Sequence, residues 1–119
     1  MRIVLLAGVA SAGLALLGGG ASAAPGNPVA GKRVWEQVSH LFGGGGCGEC
    51  HTLQAESAYG TTGPNLDKVK PSVATAIKFI TNGSRPHPPW LVNMQTYGGV
   101  LTKQQIRDVA AFIYQATHK

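Results

Sequence analysis

Apolar side chains fall along this 119-residue chain in separate groups whose spacing changes from one group to the next. The first runs almost unbroken from Ile3 to Leu17 behind Arg2, then passes through Gly18 to Gly20 into Ala21-Ser22-Ala23. A charged start, a short apolar stretch and small residues at a cleavage point make residues 1–23 a secretory signal peptide. The stretch is short for a membrane span and carries no cysteine for lipid attachment, so an uncleaved anchor is the lesser alternative. In the second group Val34, Trp35, Val38, Leu41 and Phe42 recur at helical spacing, with Gly31 on the same stripe. Asn27 is placed to cap this helix and Pro28 to begin it, while Gly43 to Gly46 end it and form a hinge. A second helix is expected over 71–82, burying Val73, Ile77 and Ile80 and stopping at Gly83. The last helix has the plainest start: Thr102 and Gln105 form a capping box, with Leu101 and Ile106 as its hydrophobic staple. Ile106, Val109, Ala110, Ile113 and Ala116 make its stripe, and Phe112 lies alongside.

Between these helices the pattern lapses. Residues 52–61 read as a polar loop containing Tyr59 and lead into the turn Thr62-Gly63-Pro64-Asn65-Leu66. Residues 84–93 contain Pro86, Pro88 and Pro89 and can be neither helix nor central strand, which leaves a surface loop. No run alternates as a strand would. The fold class is therefore all-α, with three main helices and short turns.

Without residues 1–23 the chain keeps 96, one small domain over 24–119. Few strongly apolar side chains remain, and a domain of this size usually needs a disulfide, metal or cofactor for stability. Nine lysines and arginines stand against five acids in that part, a net +4 with histidines neutral. Such a balance fits steering toward an acidic partner, and equally an ordinary soluble surface. The basic residues are scattered without interleaved aromatics, which speaks against nucleic acid as a partner.

The chemistry concentrates in Cys47-Gly48-Glu49-Cys50-His51. Two thiols one helical turn apart can form thioethers to the two vinyl groups of a single porphyrin, and the following imidazole is then placed to bind the iron. This pentapeptide is the attachment signal for one c-type haem, covalent through Cys47 and Cys50. Other uses of Cys-x-x-Cys are weaker here. A zinc site would need His40, His87 or His118, none of which stands at finger spacing. A thioredoxin-like dithiol would sit in a βαβ unit, for which no strand pattern exists.

A ligating histidine normally donates its second ring N–H to a fixed acceptor, and a carbonyl in the rigid turn after Gly63 can serve. For the sixth position Met94 is the candidate: it follows the proline-rich loop, precedes Gly98 and Gly99, and stands eight residues before the last helix cap. A thioether there stabilises ferrous iron and raises the potential. His87, in the same loop, is the rival ligand, and its plainer reading is a solvated residue between prolines. His40 and His118 read as surface. Trp35 and Phe112 read as helix packing, whereas Trp90 and Tyr97 could either line a haem pocket or simply pack.

Together Gly31-Lys32-Arg33-Val34-Trp35, Cys47 to Thr52, Thr62 to Leu66, and Met94 through Leu101-Thr102 into Val109 to Ile113 resemble the class I c-type cytochromes, small soluble monohaem carriers. The resemblance implies a cytochrome c-like fold, His51 and Met94 as axial ligands, and Pro64 as the carbonyl receiving the His51 proton. It also implies a crossing of the N- and C-terminal helices at Gly31 and either Phe112 or Tyr114. Two departures stand out: several additional residues between Trp35 and Cys47, and Gln95 after Met94 where the family often has proline. The expected function is one-electron transfer by an exported, periplasmic or otherwise extracytoplasmic monomer that meets redox partner proteins, spans no membrane after signal cleavage and transforms no substrate. The rivals are an open-site haem protein acting on peroxide or a small gas, a dithiol-disulfide oxidoreductase, and the haem subunit of a larger oxidoreductase.

Overall fold

Asn27 opens the first helix as its residue type dictates, its Oδ1 accepting from the amides of Val29 (2.9 Å) and Ala30 (3.3 Å). The computed structural model describes residues 25–41 and 46–119, with the backbone alone at residues 39–41. The signal peptide expected over residues 1–23, the side chains of His40 and Leu41, Phe42, and the hinge expected at the glycines up to Gly45 lie outside the described residues. Helix α1 spans Pro28–Leu41 and buries Val34, Trp35 and Val38. Those positions are one face of a 3.6-residue period, as their spacing requires.

That face lies against α5, Lys103–Thr117, the most extensive helix pair of the fold. Helix α5 begins with both arms of the capping box in place: Gln105 N donates to Thr102 Oγ1 (3.0 Å) and Thr102 N to Gln105 Oε1 (2.8 Å). Leu101 and Ile106 on either side of the cap are both buried in the core. Ile106, Val109, Ala110, Phe112 and Ile113 are buried and Ala116 partly so, the expected stripe. The two helices cross at Gly31, where a Cβ would run into the carbonyl oxygen of Asp108 and stand 2.8 Å from the Phe112 Cβ. Phe112, not Tyr114, is therefore the aromatic at the crossing. Its ring also meets Trp35 edge-on with centroids 6.3 Å apart, while Tyr114 is exposed and stacks on His118.

One buried acid ties this pair further. Asp108 is only 7% exposed, and its Oδ1 accepts from the amide of Asn27 (2.8 Å) and from Gln104 Nε2 (2.8 Å). The start of α1 is thus bonded to the middle of α5.

The segment between the helices is more structured than a polar loop. After α2 (Cys47–Cys50) comes an antiparallel ladder of β1 (Thr52–Leu53) with β2 (Ala58–Tyr59), in the register Thr52 to Tyr59, joined by a 3₁₀ turn over Gln54–Glu56. Leu53 is fully buried and anchors the ladder in the core. Helix α3, Leu66–Val69, starts at Asn65, whose side chain accepts from Lys68 N. Helix α4 spans Val73–Asn82, two residues shorter at its start than expected, because Ser72 is its cap: Ser72 Oγ accepts from Thr75 N at 3.1 Å. It buries Ala76 and Ile80, with Val73 and Ile77 partly buried, and packs against α5. Among the described residues the regular elements apart from the two-residue ladder are helical, and the all-α class holds.

Candidate functional site

Helix α2 is a single turn, so Cys47 and Cys50 stand one above the other on one side of it. The chain leaves it at His51, whose amide donates to Cys47 O (2.9 Å) and whose backbone is already extended. The turn beyond the β-ladder comes back onto this motif: Gly63 N donates to Cys50 O at 2.7 Å, and Thr52 Oγ1 donates to Gly60 O at 2.9 Å. Residues 62–64 are thereby held beside the imidazole.

His51 Nδ1 lies 2.8 Å from Pro64 O. A carbonyl can only accept, so the proton of this bond is on Nδ1, and Nε2 keeps its lone pair. The absence of a side chain at Gly63 makes this possible, since a Cβ there would stand 2.7 Å from Cε1 and 3.1 Å from Nδ1 of the ring. Burial lowers the imidazole's pKa below its ordinary value, partly offset by the bond to Pro64. Both effects of environment on this ring favour or orient a neutral imidazole with one nitrogen free to bind a metal.

Cys47 packs against the apolar core, and burial pushes its thiol up to about 11. Tyr97 is buried close by. Burial raises its phenol's pKa, the hydrogen bond from Gln95 opposes that, and the Cys47 and Cys50 sulfurs add to the rise. Gln95 Nε2 reaches the Tyr97 hydroxyl at 2.7 Å, so the residue that follows Met94 is itself held.

Met94 is partly buried against the same core as Cys47 and closes the loop that starts at Ser84. Ser84 N donates to Met94 O (3.0 Å) and Met94 N to Ser84 O (2.9 Å). Further out in the loop His87 N donates to Trp90 O at 2.8 Å, and the two rings meet edge-on at 5.7 Å. His87 is exposed, with Nδ1 2.9 Å from Arg85 O. The loop thus turns His87 and Trp90 toward one another at its outer end and Met94 toward the core at its base. Trp90 packs on His87, whereas Tyr97 stands beside the cysteines.

Behind the motif, Lys32 of α1 bridges two acids, with Nζ 3.2 Å from Glu56 Oε1 and 3.3 Å from Glu36 Oε1. Glu56 first and Glu36 second raise the ammonium's pKa. This bridge joins α1 to the 3₁₀ turn of the hairpin.

Of the residues singled out from sequence, Cys47, Cys50, His51 and Pro64 are brought together by hydrogen bonds, and Met94 enters from the far loop through the shared core. Asp108, Gly63 and the pairing of Ser84 with Met94 were not singled out. Asp108 looks like any acid on a helix surface, and its spacing four residues after Gln104 is the only local sign of a partner.

No protein of curated function matches the chain. Among solved structures, the c-type cytochrome SorU from Sinorhizobium meliloti is similar, with a TM-score of 0.62 and 29% identity over 77% of this chain and 92% of SorU. The family model for cytochrome c matches residues 29–117, from the second residue of α1 to the last of α5. With its match extending over both crossing helices and everything between them, the chain belongs to the cytochrome c family, whose haem c serves electron transfer.

Proposed function

We propose that this protein is a one-electron carrier whose haem c is joined through Cys47 and Cys50 and ligated by His51 and Met94. The observation that carries the reading is the bond from His51 Nδ1 to Pro64 O, because it fixes the proton on Nδ1 and leaves Nε2 unprotonated to serve as a ligand. The donor set fits the group: two thiols on one side of a helical turn, an imidazole with its tautomer set, and a partly buried thioether. When bound, the haem supplies a ferric/ferrous couple. The chain's own residues do the rest. Pro64 O keeps the imidazole in one orientation, Gly63 leaves it room, and the α1, α4 and α5 core keeps water from the inner side of the site. Met94 is held at both its amide and its carbonyl, so it stays in place while charge changes nearby.

His87 is a poor rival as the sixth ligand, since its ring is exposed and engaged with Arg85 O and Trp90. A dithiol enzyme is also disfavoured. Its attacking sulfur needs an exposed, electropositive setting, and Cys47 is packed on apolar side chains with its thiol pushed up.

Residues 1–23 are proposed as a signal peptide that exports the chain, leaving a monomeric carrier over 24–119 that meets redox partner proteins. Among the described residues no helix is long and apolar enough to cross a membrane. Amino-terminal sequencing of the exported protein tests the first point, and a start at Ala24 is expected.

The test of the carrier reading is the visible to near-infrared spectrum of the protein, oxidised and then reduced. Low-spin c-type bands with the weak sulfur-to-iron charge-transfer band are expected. Haem bands without the sulfur band would refute Met94 as the ligand, and high-spin bands with rapid binding of carbon monoxide or cyanide would place the protein with open-site haem proteins.

A further inference from the structure

The base of the Met94 loop is built on one glycine. Gly83 caps the C-terminus of α4, its amide donating to Phe79 O at 2.8 Å. Its dihedrals are φ 68° and ψ −168°, a region that residues with a Cβ avoid almost entirely. Space is closed to a side chain as well: a Cβ on Gly83 would run into the carbonyl oxygen of Met94 and come within 3.1 Å of the Gln95 carbonyl carbon. Two independent restrictions therefore fall on the same residue, and the second of them is contact with Met94 itself.

The next residue completes the arrangement. Ser84 exchanges two backbone bonds with Met94, and three residues on, Tyr97 N donates to Ile80 O (2.9 Å) and Gly98 N to Thr81 O (3.1 Å). The last carbonyls of α4, which would otherwise lack partners, are thus taken by the strand of chain that carries Met94. Because α4 is packed on α5, the position of Met94 is referred to the helical core and not to the exposed outer part of its loop.

We propose that Gly83 is a positioning residue for the Met94 thioether: its positive-φ, side-chain-free turn lets Ser84 and Met94 pair, and that pairing sets where the sulfur stands. The inference rests on Met94 being an iron ligand. It adds that the strength of ligation is controlled from the end of α4. Any Cβ at 83 must push the Met94 carbonyl away, break the pairing with Ser84, and let the sulfur retreat while Cys47, Cys50 and His51 stay as they are.

The test compares holoprotein of the native sequence, Gly83→Ala and Gly99→Ala. Gly99 is the matched control, with φ 90° and no atom within 4 Å of an added Cβ, so its substitution strains the backbone without touching Met94. The readouts are the sulfur-to-iron band of the ferric protein, the midpoint potential and the amide exchange rates of Ser84 and Met94. In Gly83→Ala the band should be lost or bleached at lower temperature, the potential should fall, and both amides should exchange faster, with covalent haem retained. Gly99→Ala should keep the native band and potential. A native band and potential in Gly83→Ala overturn the proposal, as does equal loss in both variants, which would show general loosening. If Gly83→Ala yields no holoprotein, Ser84→Pro removes the amide that bonds Met94 O and leaves Gly83 intact. Band loss at lower temperature is then expected, and a band as heat-resistant as the native one overturns the proposal. If the native protein itself lacks the sulfur band, the Met94 ligand assignment fails first, and the positioning role fails with it.

Discussion

At the scale of single residues the site depends on atoms that are absent as much as on those present. His51 can donate to Pro64 only because Gly63 carries no Cβ, so Gly63→Ala should displace the ring. Overpacking of this kind costs about 1–3 kcal/mol. The expected outcome is a lower thermal midpoint and weakened proximal ligation, read from the reduced spectrum against temperature. Met94→Ala should lower the midpoint potential and open the iron to cyanide, because the soft thioether is lost; an unchanged potential would count against Met94. Asp108 is the contrasting case, a buried acid with no part in the site. Its carboxylate holds Asn27 N and Gln104 Nε2, and bonds to a charged acceptor are worth about 1.5–3 kcal/mol each before exposure discounts them. Asp108→Ala should therefore destabilise by about 2 kcal/mol in denaturant titration and leave the potential unchanged.

At the scale of elements, the α1 and α5 pair is where the local code reads most directly. Asn27, Pro28 and the stripe Val34, Trp35, Val38 could be placed from spacing alone, and so could Thr102, Gln105 and the α5 stripe, because caps and periodicity are properties of neighbouring residues. Thr102→Ala should cost about 1 kcal/mol, and adding Gln105→Ala should cost less than the single effects combined, since the two side chains cap reciprocally. A unfolding titration of the three variants checks this. Gly31→Val should be more damaging, forcing α1 off Asp108 and Phe112. The expected loss is about 1–3 kcal/mol, seen as a fall in thermal midpoint with little change in the haem spectrum. The ladder of Thr52–Leu53 with Ala58–Tyr59 was not legible, since two residues are too few to show alternation, and the polar side chains around them look like loop. Leu53 pays the one clear hydrophobic contribution there, and its burial was hidden in the same way.

At the scale of the whole molecule, helices, turn and loop converge on one core that touches both Cys47 and Met94. The charge of residues 24–119 is modestly positive, and the ion pairs of Lys32 with Glu36 and the largely buried Glu56 are local. Electron exchange with an acidic redox partner should slow as ionic strength rises, because screening shortens the reach of that attraction. Stopped-flow rates at a series of salt concentrations check this, and salt-independent rates would remove the steering argument.

What the sequence determined by itself was written in near neighbours: three helical stripes, the starting caps of the first and last of them, and five consecutive residues whose thiols and imidazole suit one cofactor. What only the tertiary structure decided were the meetings of distant residues. Phe112 rather than Tyr114 lies on Gly31, Ser84 pairs with Met94, and Asp108 reaches Asn27 across 81 positions of chain, while Pro64 closes on His51 as the family resemblance implied. Gln95 belongs with these. Without a proline after Met94, the backbone is held by Ser84 and by Gln95 bonding Tyr97, partners no local pattern names. The physical reason is the same throughout. Periodicity and capping act over four residues or fewer, whereas a buried polar group finds its partner wherever packing brings one, and that depends on how the helices cross.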